Sequence, residues 1–125
     1  MLLKNLIKSI PESKRKIVIS GISTNSKLVK KNNIFFAIKG NKINGERYIQ
    51  EAIKNGASVI VCSKKCNLKD KKILIVRKKD VRLFLSEVCS KFYNIKPKNI
   101  FAVTGTNGKT SIADIFYQIL KINNI

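Results

Sequence analysis

"ERYIQEAIKNGASVIVCS", residues 46–63, changes its hydrophobic period at a single glycine. Before Gly56, the residues Tyr48, Ile49, Ala52 and Ile53 recur at helical spacing and share one face. After it, "ASVIVCS" reads as a buried strand. Gly56 stands where a helix C-terminus favours a residue that accepts positive φ. A helix, a glycine and a buried strand form half of a strand–helix–strand unit.

The same alternation continues in both directions. Upstream, "KIVISGIST" (16–24) is rich in β-branched residues and "NIFFAIKG" (33–40) is closed by Gly40, so both are predicted strands. Downstream, "KILIVR" (72–77) predicts another strand. "DVRLFLSEVCSKFYNI" then opens on Asp80, a predicted N-cap, with Leu83, Phe84, Val88 and Phe92 on one helical face. Pro97 ends that segment. "NIFAVTG" predicts the next strand, and "KTSIADIFYQILKI" a helix carrying Ile112, Ile115, Phe116, Ile119 and Leu120 on one face. The start, "MLLKNLIKSIPESKRK", predicts a short amphipathic helix ending near Pro11 and lacks the cleavage site of a signal peptide. Strands alternating with helices imply an α/β fold with a largely parallel sheet. The stretch "YNIKPKN" (93–99) is the one plausible linker. It divides a small α/β domain, residues 1–95, from the first strand, loop and helix of another, residues 96–125.

Composition bounds the function classes. A chain of 125 residues with 44% hydrophobic content holds one ordinary core and not two. No apolar run approaches the roughly 20 residues of a membrane span. Cys62, Cys66 and Cys89 make no metal-ligand pattern, the chain has no histidine, and the odd cysteine count fits reduced thiols in the cytoplasm. The net charge of +19 is carried mostly by lysines spread along the whole chain. They form no aromatic-rich RNA motif and no basic tail, and abundant Lys, Asn and Ile match the codon bias of an AT-rich genome. Attraction of small polyanions such as nucleotides is the expected consequence.

Chemistry concentrates in "FAVTGTNGKTS" (101–111). A glycine-rich turn between a strand and a helix points backbone N–H groups at phosphate oxygens, and the helix N-terminus adds positive potential. Gly105 and Gly108 give the turn, Lys109 the charge for β- and γ-phosphates, and Thr110 a hydroxyl for Mg²⁺. The full Walker pattern would require glycine at position 103, where this chain has Val103.

That departure resembles the ATP loop of the Mur ligases, which carry T-G-T-x-G-K-[ST]. The region upstream, "GISTNSKLVKKNNIFFAIKGNKINGERYIQEAIKNGASVIV", is similar to the N-terminal domain of the MurE type, the UDP-N-acetylmuramoyl-tripeptide synthetases. That family shows a strand, a D-S-R turn, "GDLFVA", a glycine-bounded loop, "DGxxFI" and a "GAxAVV" strand. The corresponding elements here are Asn25-Ser26-Lys27, Asn33 to Ala37, Gly40, Asn44-Gly45 with Tyr48-Ile49, and Gly56 to Val61. "KFYNIKPKNIFAVTGTNGKT" is similar to the family's junction between first and second domains.

The resemblance implies an N-terminal UDP-substrate-binding domain, followed by the first strand, phosphate loop and helix of a P-loop ATPase-like central domain. It implies an ATP-dependent amide ligase of peptidoglycan synthesis. Such an enzyme adds diaminopimelate or lysine to UDP-N-acetylmuramoyl-L-alanyl-D-glutamate through an acyl phosphate. Thr24, Ser26, Asn41, Lys42 and Ile43 fall where the family contacts the uridine nucleotide. Gly105, Thr106, Asn107, Gly108, Lys109, Thr110 and Ser111 match the ATP loop, with Thr110 toward Mg²⁺. Asn25 replaces the family's acid, and Lys27 its arginine, which loses a bidentate fork. No residue is assigned a catalytic role. The chain is expected to be the first quarter or so of a longer cytoplasmic ligase, inactive by itself. Two other readings stay open, a stand-alone UDP-sugar-binding module and a basic nucleic-acid-binding protein.

Overall fold

The computed structural model describes residues 1–41, 43–70, 72–95 and 97–124. The chain divides into two compact units, Met1–Asn94 and Ile95–Ile125.

In the first unit the helices are α1 (Leu3–Leu6), α2 (Ile49–Lys54) and α3 (Val81–Phe92). The strands β1 (Gly21–Ser23), β2 (Asn33–Phe36), β3 (Ala57–Ser63) and β4 (Leu74–Lys78) form one sheet in the spatial order β1-β2-β3-β4. Every neighbouring pair is parallel. Successive side chains of a strand point to opposite faces, and the core divides accordingly. Ile34, Phe36, Val59, Val61 and Val76 pack with Leu3, Leu6, Val81, Phe84 and Val88 on one face. Phe35, Ile60 and Cys62 pack with Val29, Ile49 and Ala52 on the other. A sheet covered on both faces is the ordinary setting for parallel strands, whose sequence then reads as a continuous apolar run.

Two local features hold this arrangement in register. Ala57 and Val59 are two residues apart yet pack into different clusters. The ladder pairs Asn33 with Ala57 but Ile34 with Val59, so Ser58 is an extra residue that flips the strand over. Its hydroxyl donates to Asn32 Oδ1 at 3.2 Å. Gly56 has φ of +104°, and a Cβ there would stand 2.9 Å from Lys31 Cα, so both conformation and space require glycine at the helix-to-strand corner.

Several expectations are corrected by the structure. Of residues 16–24, only Gly21–Ser23 joins the sheet. Ile17 and Ile19 pair instead with the chain start, Leu3 N donating to Ile17 O at 2.8 Å and Ile19 N to Met1 O at 2.7 Å. That pairing buries Leu3 and Ile19 together. The amphipathic start is helical only over Leu3–Leu6, because Ile7 is already extended. Tyr48 leaves the expected buried face: the first turn, Gly45–Tyr48, is a 3₁₀ turn, and Tyr48 is exposed while Ile49 and Ala52 are buried. In α3 the buried stripe is Val81, Phe84 and Val88, and Leu83 is exposed. Leu83 lies only one residue from Phe84, about 100° around the helix.

In the second unit α4 (Lys109–Ile122) forms where expected, but residues 99–105 are not a strand. A strand is stabilised by its ladder, and the described residues of this unit hold no second strand to pair with. The apolar face of α4 is exposed at Ile112, Ile115 and Ile119, and Phe116 packs against Phe101 with ring centroids 4.8 Å apart and the rings tilted by 58°.

Candidate functional site

Ligands of open parallel sheets bind beyond the carboxyl ends of the strands, and an open cleft of about 540 Å³ lies there in this chain. Its walls are the turn after β1, with Thr24, Asn25, Ser26 and Lys27, and the segment after β2, with Ile38, Gly40 and Ile43; Gly45 and Tyr48 complete it.

The first wall is built by local hydrogen bonds. Asn25 caps the 3₁₀ turn Ser26–Leu28, its Oδ1 accepting from Lys27 N at 3.0 Å. The Ser23 hydroxyl accepts from Asn25 N at 3.1 Å and donates to Asn25 O at 2.7 Å. An amide oxygen serves as such a cap as well as a carboxylate does, so asparagine in place of the acid preserves the turn. Ser26 is 5% exposed, and its hydroxyl donates to Glu51 Oε2, anchoring the turn on α2. Asn55 Nδ2 donates to Ser26 O at 2.9 Å and adds a second anchor.

The second wall is a hairpin closed by the antiparallel bridge between Lys39 and Asn44. Gly40 N donates to Ile43 O and Gly45 N to Ile38 O, at 2.8 and 2.9 Å. Asn44 Oδ1 caps the following turn by accepting from Glu46 N at 3.1 Å, and Glu46 Oε1 accepts from Ser63 N at 3.0 Å. The hairpin is thereby tied to the end of β3.

The structure brings Thr24, Ser26 and Ile43 together in this cleft. Asn41 is exposed and does not line it, and Lys42 lies outside the described residues. Thr24 is exposed at the wall. Sequence reasoning did not assign Asn25, Lys27, Ile38, Gly40, Gly45 or Tyr48 to the site. Tyr48 reaches the cleft because it ends the 3₁₀ turn Gly45–Tyr48 and so stands outside the helix that follows. With Ile38 and Ile43 it supplies apolar surface, and Lys27 supplies charge, so the cleft suits a flat group carrying an anion.

In the second unit Gly105 and Gly108 have φ of +151° and +74°. Gly108 is the N-cap of α4 and offers no side chain to the first-turn N–H groups. Those groups are therefore open to an anion. The Lys109 ammonium folds back over the loop, donating to Gly105 O and to Thr106 O. Thr106, Asn107, Thr110 and Ser111 are exposed.

All three cysteines are free thiols. Burial pushes the Cys62 thiol up to about 12, helped by its hydrogen bond with the Cys66 thiol. Among the described residues no helix is long and apolar enough to cross a membrane.

The first unit is of the open parallel α/β class with a cleft at its strand ends, and the second opens a helix on a glycine-bounded loop. The chain belongs to the Mur ligase family: the family profile described as "Mur ligase family, catalytic domain" matches residues 18–99. It is 43% identical over 106 residues to the UDP-N-acetylmuramoyl-L-alanyl-D-glutamate–2,6-diaminopimelate ligase of Rickettsia prowazekii, covering 82% of this chain and 22% of that protein. It is 35% identical to UDP-N-acetylmuramyl-tripeptide synthetase 2 of Oceanobacillus iheyensis, over 86% of this chain and 22% of that one. Among solved structures, the MurF ligase of Thermotoga maritima in complex with ADP matches 80% of this chain and 23% of its own, with TM-score 0.65 and 29% identity. The chain thus spans about a fifth of the length of the curated relatives it matches.

Proposed function

We propose that residues 1–95 are the UDP-substrate-binding domain, and residues 96–125 the start of the ATP-binding domain, of a cytoplasmic ATP-dependent amide ligase. The substrate is UDP-N-acetylmuramoyl-L-alanyl-D-glutamate, and the incoming amino acid is diaminopimelate, the one named in the Rickettsia relatives. The observation that carries this reading is the cleft at the ends of β1 and β2, joined to family membership.

Within the cleft, Thr24 and Ile43 hold the uridine nucleotide, Ser26 fixes the turn that presents it, and Lys27 faces its charge. Asn41 and Lys42 belong to the same substrate loop. The positive-φ glycines and the uncapped start of α4 fit a phosphate chain. Gly105, Thr106, Asn107, Gly108 and Ser111 would cradle ATP, Lys109 would turn from its loop carbonyls to the phosphates, and Thr110 would meet Mg²⁺. ATP supplies the phosphoryl group that activates a carboxylate as an acyl phosphate. These residues contribute position and charge neutralisation.

Isothermal titration at fixed salt tests the first half. UDP and the UDP-muramyl dipeptide should bind, with CDP and GDP at least tenfold weaker, and Thr24→Val and Ile43→Asp should abolish the preference. Equal affinity for all nucleoside diphosphates would overturn the assignment.

A further inference from the structure

The remaining strand ends of the first unit carry a second feature. Two adjoining depressions, of about 560 and 670 Å³, open beyond the carboxyl ends of β2, β3 and β4. They share Lys39, Ser63 and Lys79; Lys64 and Lys65 line one and Arg82 the other. Each of these five cations follows a strand or opens α3, so the parallel topology places them at one edge of the sheet. All five are exposed.

Two acids, Glu46 and Asp80, share the walls, so the cations outnumber the carboxylates there. Glu46 Oε1 accepts from Ser63 N at 3.0 Å, and Asp80 Oδ1 accepts from Leu83 N at 2.9 Å. Among the described residues the one ion pair joins Arg15 to Glu12, so none of the five cations has a carboxylate partner there. Neither depression is lined by an aromatic side chain. Binding of nucleic-acid bases would require a stacking platform; besides its charges this surface offers the Ser63 hydroxyl, the Asn44 amide and the aliphatic side chains of Ala37, Ile38 and Val81.

We propose that this basic recess is a binding site for a small free polyphosphate, recognised by its phosphates and not by any base. It adjoins the cleft at Thr24 and Ile43, sharing Ile38 and the Lys39–Asn44 hairpin with it, but its cations line only the far side of that hairpin. A recess of this size takes a ligand of a few linked phosphates. Three or more cations acting on one polyanion give affinity that falls as salt rises.

Titration of the full chain with inorganic tripolyphosphate, ATP and UTP is the test. All three should bind this recess with affinities within about threefold, since no base is read. Reversing Lys64, Lys65 and Lys79 together to Glu should weaken tripolyphosphate by about tenfold or more. Reversing Lys4, Lys8 and Lys30, exposed lysines elsewhere on the unit, should weaken it by less than threefold. The substituted positions lie outside the core, and the Lys→Gln triple at positions 64, 65 and 79 repeats the test if far-UV circular dichroism of the Glu triple departs from the parent. Equal losses from both triple reversals would show diffuse attraction to net charge and overturn the site. So would loss of tripolyphosphate binding in Lys109→Ala, or affinity that climbs steadily with the length of a single-stranded RNA.

Discussion

Replacing Gly45 by alanine should loosen the cleft and the domain together. A Cβ on Gly45 would stand 2.6 Å from Ile38 O, 2.8 Å from Ile38 N and 3.1 Å from Ala37 C. All three are backbone atoms, so no side chain can swing aside, and the two limbs of the hairpin must separate. The bond from Gly45 N to Ile38 O, 2.9 Å long, is the first to go. Its loss costs about 1 kcal/mol, and forcing a methyl into packed backbone adds about 1–3 kcal/mol. The sum, roughly 2–4 kcal/mol, is a large part of the 5–15 kcal/mol that holds an ordinary domain together. Tm should fall by about 10 °C or more, and UDP affinity should fall because Gly40 and Ile43 shift with the hairpin. Urea unfolding followed by circular dichroism, with UDP titration alongside, measures both. Gly40→Ala is the comparison: its Cβ meets only Ile43 O, at 3.1 Å, and should cost about 1 kcal/mol. A Gly45→Ala protein within about 0.5 kcal/mol of the parent and binding UDP normally would refute the reasoning.

Removing the Asn25 cap with alanine should cost about 1 kcal/mol in urea unfolding, whereas Asn25→Asp should cost little, because a carboxylate also accepts from Lys27 N. Ser26→Ala leaves Glu51 without its hydroxyl donor and should cost about 1–2 kcal/mol by the same measurement. The Cys62 thiol is raised from the ordinary 9.0 to about 12, so the unfolded chain loses this proton first. Stability should therefore be unaffected by this group below pH 9 and decline as pH rises from about 9 toward 12, and Cys62→Ala should flatten that decline. Lys109→Ala should abolish the ATP-induced amide NMR shifts of residues 105–111 and leave UDP titration unchanged.

What the sequence made legible follows from how locally each feature is determined. The core of β3 and the corner at Gly56 depend on a run of apolar residues and one left-handed glycine, both visible in the chain. Asp80 as N-cap of α3 is equally local, its side chain reaching only to Leu83. The strand expected over residues 16–24 was misjudged because propensity does not say which partner a segment takes. Its first half pairs with residues 1–3, and only Gly21–Ser23 with β2. The strand expected at 99–105 had the right residue types and no ladder among the described residues. In the cleft, Thr24, Ser26 and Ile43 were accessible through motif resemblance. Tyr48 and Ile38 were not, because their exposure to the cleft depends on a 3₁₀ turn and a hairpin that hydrophobic periodicity does not reveal.

The central claim, that the strand-end cleft of the first unit holds a uridine nucleotide, is tested most directly by amide NMR of the ¹⁵N-labelled chain. Spectra would be recorded during titration with UDP and, separately, with ADP at the same salt concentration. The expected result is saturable shifts with UDP at Thr24 to Lys27, at Ile38, at Gly40, at Ile43 to Gly45 and at Tyr48, with ADP leaving these amides in place. Shifts of equal size with both nucleotides, or shifts confined to the lysines beyond β3 and β4, would contradict it.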